Sequence, residues 1–432
     1  MASAPTSNRV PRPTTGRDDR VLIIGAGSVG LLIAHNMKKL GIPCSVFEKD
    51  AAIDARERDW SFGVYWAQSR LGECLPEGID ERYLLENVQV DNYITDEHAF
   101  IPCLNGVTGE LTSKIPTPFS LRLQRRKFIK LLSQGIDIHY GKQLTDIKTE
   151  GGFVTASFED GTKEEGRLLV GCDGARSKVR NVLLGPEKGA LRQLPFMHSA
   201  AVTTLPAETA LAIRKMHRRN MLATHPNGSY LWISVQDCSN TDPSKWSFMF
   251  LQTWTDVSGD AKATEALVDL ATRPEIVRDM RNRAKVFAES FSSLWQTIPD
   301  DAPAWHGRMS DWPTEPWDNK GIITLAGDAA HPMTFHRGQG LNNAISDAAS
   351  LLHALMDHYP PSDTSSSLPF AEALKVYESE VWERGREAVL SSAQNTEMVH
   401  DWNRLLQSDT LRIGIKPRDS EEGIKTETRA EK

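Results

Sequence analysis

The apolar positions of the chain fall into two regimes. Val21–Ile24 is an unbroken apolar run, and Leu31–Leu40 repeats its apolar residues at helical spacing before stopping at Gly41. Ser45–Phe47 is a second short apolar run. Strand, helix and strand in this order predict a β-α-β unit, which seeds a parallel sheet. Phe128–Leu132 reads as the core of a short helix. Phe153–Glu159 and Arg167–Val170 read as strands joined through the turn Glu159-Asp160-Gly161. The pattern then changes. Phe196–Thr204, Tyr230–Val235 and Ser247–Thr255 are strand-like and separated by polar turns, which predicts an antiparallel sheet. Ala261–Ala288 has helical spacing, and Trp295, Trp305, Trp312 and Trp317 mark a loop-rich return. Ile322–Ala326 resembles the first strands, and Asn342–Leu355 and Ala371–Asn395 are predicted helices.

This pattern predicts an α/β chain, a Rossmann-like domain interrupted by an antiparallel β-sheet domain. The expected division is a tail at 1–19, a nucleotide domain at 20–184 and 316–358, an inserted substrate domain at 185–315, a C-terminal helix at 370–406 and a solvated tail at 407–432. No internal repeat is visible, and the Ser/Asp/Pro-rich stretch 358–369 reads as a loop.

The first chemical signal lies at the first strand-to-helix turn. VLIIGAGSVG places Gly25, Gly27 and Gly30 at G-x-G-x-x-G spacing. The first glycine makes the tight turn, the second lets the backbone approach a pyrophosphate, and the third lets helix and strand pack closely. The helix N-terminus then directs unpaired N–H groups and a positive dipole end at the phosphates. Glu48 closes the second strand, where an acid for a ribose 2′-hydroxyl is expected. A mere tight turn explains the glycines but not the acid. Which dinucleotide binds cannot be read from this turn.

Two later stretches narrow the choice. RLLVGCDGARSKVR carries Asp173-Gly174, and GIITLAGDAAHPMTFHRGQGLNNAISDA carries Gly327-Asp328 and then Gly338-Gln339-Gly340. With the first turn, these resemble the group A FAD-dependent monooxygenases, the family of p-hydroxybenzoate and salicylate hydroxylases, including natural-product tailoring enzymes. That family has D-G-x-x-S-x-V-R where this chain has D-G-A-R-S-K-V-R, from Asp173 to Arg180. The resemblance implies one FAD held by two grips, the AMP half on the first turn and the flavin half on the last strand. It assigns Asp173 and Gly174 to the flavin side, Gly327 and Asp328 to the ribityl or ribose hydroxyls, and Arg125 of LQRRKFIKLL to the ribityl chain. Arg56 and Arg58 are candidates for the adenosine side or for a mobile flavin, Arg58 the better of the two. Gly338, Gly340, Leu341 and Asn342 open a helix whose N–H groups can face the flavin's pyrimidine ring, which is anionic when reduced. His331, Pro332 and Arg337, in the loop between the two glycine turns, are the catalytic candidates; a hydrogen-bonded structural role is the competing reading of His331. The chain departs from many members at Thr334-Phe335, where a proline pair is common, and at Arg337, where a small residue is common.

The resemblance also implies a reaction. NADPH or NADH reduces FAD, and a flavin C4a-hydroperoxide delivers one oxygen atom to an electron-rich carbon, giving hydroxylation or epoxidation. The single G-x-G-x-x-G agrees with a nicotinamide donor bound transiently. Trp232, Trp246, Trp254, Trp295, Trp305, Phe196, Phe248, Phe250 and Tyr230 lie in the substrate region. Singly such residues are more often core, but together they suit a flat, apolar secondary metabolite. His225 and Tyr230 near strand ends are weighed as bases and set aside. The alternatives are a flavin oxidase or reductase that inserts no oxygen, a halogenase-like relative, whose W-x-W-x-I-P string is not found, and a nucleotide-binding escort protein, which should lack the Gly-Asp grip.

Composition restricts the partners. The formal charge of −7 over 432 residues leaves no basic surplus for nucleic acid. No run of about 18 apolar residues is present, so no membrane span is expected. The five cysteines are scattered without C-x-x-C, which suits reduced thiols and a cytoplasmic location, and no metal site is expected. The Arg-bearing start lacks the amphipathic pattern of a transit peptide. The expected partners are a small apolar substrate and molecular oxygen.

Overall fold

One sheet has five parallel strands, in the order β17 (Ile323–Leu325), β11 (Leu168–Gly171), β1 (Val21–Ile24), β2 (Cys44–Glu48) and β7 (Ile138–Tyr140). This computed structural model describes residues 20–55, 59–91, 100–117, 120–256, 272–360 and 368–407. Strand β1 is buried along its whole length, as a central parallel strand covered on both faces must be. The helix Ser28–Leu40 follows it and ends at Gly41, whose left-handed φ of 69° closes the C-cap. Strands β11 and β17 are far apart in sequence but lie next to each other beside β1. All three glycine-bearing turns therefore emerge at the carboxyl ends of neighbouring strands, where open α/β sheets bind ligands.

The sequence between 153 and 171 divides differently from the predicted strand, turn and strand. Phe153–Phe158 (β9) pairs antiparallel with Lys163–Gly166 (β10) and with Leu144–Glu150 (β8) in a small separate sheet. The next residues leave that sheet and become β11. The reason is polarity: KEEG is largely exposed, whereas LLVG is buried at every position.

The second sheet has seven strands, in the order β16 (Ala304–Asp311), β12 (Arg192–Thr204), β15 (Ser247–Thr255), β14 (Ser229–Asp237), β13 (Asn220–Thr224), β4 (Phe100–Asn105) and β5 (Leu111–Pro116). The three predicted strands are its centre and pair antiparallel. The sheet also recruits β4 and β5 from far upstream, through a parallel β4–β13 pair. Residues 261–271 of the expected long helix lie outside the described residues; the remainder forms the helix Arg273–Ala284, and a separate helix, Glu289–Gln296, follows it. Trp295 belongs to the second of these and Trp305 to β16, so the return is more ordered than a loop.

A two-stranded ribbon, β3 (Ser61–Val64) with β6 (Leu121–Gln124), joins the two sheets. Ser61 Oγ donates to Val235 O at 3.2 Å, and buried Arg122 donates to Ser61 Oγ at 3.0 Å and to Ser234 Oγ at 3.4 Å. The helices Gly340–His358 and Ala371–Val399 pack together behind the parallel sheet. Among the described residues, no helix is long and apolar enough to cross a membrane.

One buried acid makes stability depend on pH. Glu378 is fully buried on the long helix and accepts from Trp317 Nε1 at 2.9 Å and Asn319 Nδ2 at 2.6 Å. Burial pushes its carboxyl up to about 7, against the opposing hydrogen bonds. A raised carboxyl favours the fold while protonated, so its contribution is full below the ordinary carboxylate value and is lost as pH rises through about 7. Thermal unfolding of the wild type should lose up to about 3 kcal/mol more than Glu378→Gln between pH 5 and 8. Parallel unfolding curves of the two proteins across that range would refute the assignment.

Candidate cofactor and substrate site

The first turn has the geometry that a dinucleotide requires. Gly25 has φ +109°, and a Cβ there would lie 2.3 Å from Cys172 O. A Cβ on Gly30 would lie 2.1 Å from Gly25 O, so helix and turn touch through backbone alone. Gly27 differs: a Cβ on it would meet nothing within 4 Å. The space in front of Gly27 therefore lies over a helix N-terminus, where phosphate is favoured. Glu48 sits beside the turn and accepts from Ala26 N at 2.8 Å and Asp50 N at 3.0 Å. These bonds aim the carboxylate at the rim of the turn, the position expected for a ribose contact.

At the end of β11, Asp173 caps the next helix. Its Oδ2 accepts from Lys178 N at 2.7 Å and Val179 N at 3.2 Å, while Oδ1 is buried without a protein partner. Burial pushes its carboxyl up, and the Ser177 and backbone bonds oppose this. A buried acceptor left unpaired costs about 1–3 kcal/mol, which favours a ligand hydroxyl or water at that point. Gly174 follows with φ +82°. Arg180 closes the same motif and is 1% exposed. It donates to Ala329 O at 2.9 Å, Gly189 O at 2.9 Å and Ala175 O at 2.5 Å, and its guanidinium lies 5.1 Å from the Trp312 ring centre. Arg180 thus ties the Asp-Gly turn to the Gly-Asp turn.

Gly327 and Asp328 stand at the end of β17. Asp328 keeps solvent-accessible surface although protein surrounds it densely, as expected of a side chain that lines a cleft. Crowding raises its carboxyl above the ordinary range; Asp347 adds to this, while His331 and Arg180 oppose it. A Cβ on Gly340 would lie 3.8 Å from Asp328 Oδ1, so the helix Gly340–His358 opens directly beside this acid. Gly338 has φ +63°, and a Cβ there would come within 3.3 Å of the Tyr65 ring. Gly27, the unpaired Asp173 oxygen, Asp328 and Gly340 together fit the spaced polar groups of FAD. Asp328→Ala is predicted to weaken FAD binding about 100-fold, as loss of a carboxylate's bonds to ligand hydroxyls should. The check is the dissociation constant from flavin fluorescence on reconstitution; a variant that purifies fully loaded would refute the role.

Several predicted residues act through other groups. His331 is fully buried, and its Nε2–H donates to Asp347 Oδ2 at 2.7 Å. The same carboxylate accepts from Gly327 N at 2.6 Å, and its Oδ1 accepts from Arg384 of the long helix at 2.7 Å. Burial alone would raise the Asp347 carboxyl, but His331 and Arg384 reverse this and hold it below the ordinary value. His331 is therefore part of the support beneath the Gly-Asp turn, with no surface for a substrate. Pro332 is likewise buried, and its carbonyl accepts from Trp312 N at 3.1 Å. Arg337 donates to Ser391 Oγ on the long helix, which ties the loop down. The Asn342 amide binds protein on both sides: its Oδ1 accepts from Tyr65 N at 2.8 Å, and its Nδ2 donates to Gly63 O at 3.0 Å. That leaves the backbone of Gly340, Leu341 and Asn342, not this side chain, to face a cofactor. Arg125 begins its helix with its guanidinium 4.8 Å from the Trp60 ring centre. Arg56 and Arg58 lie outside the described residues.

Asp347 and Arg384 carry no signal in local pattern beyond their place on predicted helices. Arg180 ends the D-G-A-R-S-K-V-R motif, and only its burial shows what it does.

Known proteins share this architecture. A family model described as FAD binding domain matches residues 128–389. The FAD-dependent monooxygenase cctM of Talaromyces islandicus is 44% identical over 93% of this chain and 98% of the relative. The FAD-dependent monooxygenase phnB of Penicillium herquei is 32% identical over 94% of this chain and 97% of its own. Among solved structures, HpxO of Klebsiella pneumoniae complexed with FAD and uric acid superposes with a TM-score of 0.70 at 19% identity, covering 91% of this chain and 92% of the other, which is a likeness of fold.

Proposed function

The chain belongs to the FAD-dependent monooxygenases, and on that premise we propose that it places one oxygen atom on a flat, apolar, aromatic or alkene-bearing carbon skeleton of natural-product type. It is an oxidoreductase whose cofactor is FAD, with NADPH or NADH as the transient electron donor. FAD, when bound, supplies the reductive activation of oxygen. The chain's own residues bind, orient and shield. Gly27 and the helix N-terminus behind it would hold the pyrophosphate, and Glu48 the adenosine ribose. Asp328 and the Asp173 oxygen would take hydroxyls of the central chain. The helix opening at Gly340 would set its N–H groups against the ring that becomes anionic on reduction.

The observation that carries this reading is the meeting of three separate turns at the carboxyl ends of β1, β11 and β17, opposite a broad mixed sheet. That sheet would supply the apolar wall a substrate needs. Phe335 of the intervening loop is 40% exposed, and Tyr230 and Phe196 share one face of the sheet with Thr253. A closed apolar site keeps water from the activated oxygen.

Turnover under ¹⁸O₂ with NADPH and a panel of polycyclic phenols, indoles and alkenes tests the proposal. One ¹⁸O atom in a product is expected. NADPH consumption that yields only hydrogen peroxide across the panel would favour an oxidase and overturn it.

A further inference from the structure

Five side chains between the flavin loop, the seven-stranded sheet and the long helix form an unbroken hydrogen-bond chain. His336 Nδ1 lies 2.9 Å from Thr396 Oγ1, and His336 Nε2 lies 3.1 Å from Thr253 Oγ1. Thr253 Oγ1 lies 2.8 Å from His400 Nε2, and His400 Nδ1 lies 2.7 Å from the carbonyl of Thr396. Thr334 Oγ1 lies 2.7 Å from Thr396 Oγ1.

One atom sets the direction of the bonds on both rings. A carbonyl oxygen only accepts, so His400 carries its proton on Nδ1 and its Nε2 is an acceptor. Thr253 must then donate to His400 and accept from His336 Nε2–H. This leaves His336 Nδ1 as an acceptor for the Thr396 hydroxyl, whose other oxygen neighbours are Thr334 Oγ1 at 2.7 Å and Ser392 O at 3.1 Å. With both rings neutral, this arrangement satisfies both imidazoles and the Thr253 hydroxyl. Burial holds both imidazoles neutral: His400 is lowered to about 4, and His336 is lowered well below its ordinary value by desolvation first and by His400 and His198 next.

The chain uses both nitrogens of His336 and of His400, so these imidazoles present ring surface and not hydrogen-bonding atoms. Around them the contacts are aromatic. Tyr230 meets His336 edge to face at 5.0 Å, Phe196 stacks on His400 at 4.6 Å, and Phe335 lies 4.9 Å from His336 and 5.7 Å from His198. Phe335 is the member with substantial exposed surface. Its neighbours on the loop, Thr334 and His336, are both locked into the chain.

We propose that Phe335 reads the substrate as a flat, neutral ring system, and that the Thr334–Thr396–His336–Thr253–His400 chain holds this loop tip in a single pose. Phe335 is the residue that touches substrate; His336, Thr253 and His400 are positioning residues. This rests on the monooxygenase reading for the word substrate, but the tautomers do not.

Two measurements on the FAD-loaded enzyme test it. The first is ¹⁵N NMR with labelled histidine, with His336→Gln to assign its signals. At pH 7 His336 should be a neutral Nε2–H tautomer and His400 a neutral Nδ1–H tautomer. In His400→Phe the Thr253 hydroxyl loses its acceptor and turns to His336 Nε2, so His336 should switch to Nδ1–H. A charged or Nδ1–H His336 in the wild type, or no switch in His400→Phe, would overturn the chain.

The second measurement is equilibrium binding of 1-naphthol as a flat neutral probe and 4-hydroxybenzoate as a charged one. 1-Naphthol should bind the more tightly. Phe335→Ala should weaken it about tenfold, the scale of one lost aromatic contact. Thr253→Val should weaken it several-fold and Thr253→Ser should restore it, because only the hydroxyl is at issue. Unchanged naphthol binding in Phe335→Ala, tighter 4-hydroxybenzoate, or equal loss in Thr253→Val and Thr253→Ser would overturn the assignment. If no ¹⁸O reaches any product while these results hold, the monooxygenase proposal fails and the reading of the pocket stands.

Discussion

Replacing Asp347 with alanine should strip the protein of FAD and lower its stability by about 3–5 kcal/mol, the cost of breaking a buried ion pair by removing one partner. Asp347 is fully buried and joins three elements: the Gly327 amide, the His331 imidazole and the Arg384 guanidinium. Without it, Arg384 keeps Glu380 as a charge partner at 2.9 Å, but the Gly327 N–H and the His331 ring lose their acceptor inside a dry core. The Gly-Asp turn should then relax and carry Asp328 out of register. Asp347→Asn is the informative companion, because it keeps an acceptor for Gly327 and loses the charge that balances Arg384. We expect Asp347→Asn to retain part of its FAD and Asp347→Ala almost none, measured as flavin content after purification and as chemical unfolding. Equal flavin content in both variants and the wild type would show that the turn stands without this support.

The second large effect is a contrast between two glycines of one turn. Gly30→Ala places a methyl group 2.1 Å from Gly25 O, where the obstacle is backbone and cannot swing aside. The helix must move off the sheet, and we expect a loss of about 3 kcal/mol together with loss of FAD. Gly27→Ala places its methyl group in open space at φ −75°, a conformation alanine adopts without strain. The apoprotein should therefore unfold at nearly the wild-type temperature while FAD binding falls at least tenfold, because the methyl group occupies the approach of the pyrophosphate. Thermal unfolding of the apo forms, followed by flavin titration, separates the two effects. A Gly27→Ala protein that binds FAD as the wild type does would move the pyrophosphate away from this turn.

Much of this site is legible in the order of the amino acids. Local rules of period and turn chemistry locate β1, β2, β17, both C-terminal helices and the three glycine turns, because each depends on residues close together in sequence. The family resemblance rests on those same turns. Long pairings carry no such signal. The recruitment of Phe100–Asn105 and Leu111–Pro116 into the substrate-side sheet depends on a partner strand beyond residue 219. The division of 163–171 between two sheets depends on which face each half can bury.

Side-chain roles show the same boundary more sharply. Spacing places His331, Pro332, Arg337 and Asn342 around the Gly-Asp turn and the helix that follows it, yet their polar groups bind other parts of the protein. Arg180 reaches Ala329 across 149 residues, Arg384 reaches Asp347 across 37, and His336 reaches Thr253 across 83. The sequence by itself determined three glycine-bearing turns and the elements that bear them, since those follow from backbone geometry within a few residues. Only the tertiary structure decided which buried donors meet which acceptors, because a buried polar group must find its partner wherever the packed chain brings one, at any separation.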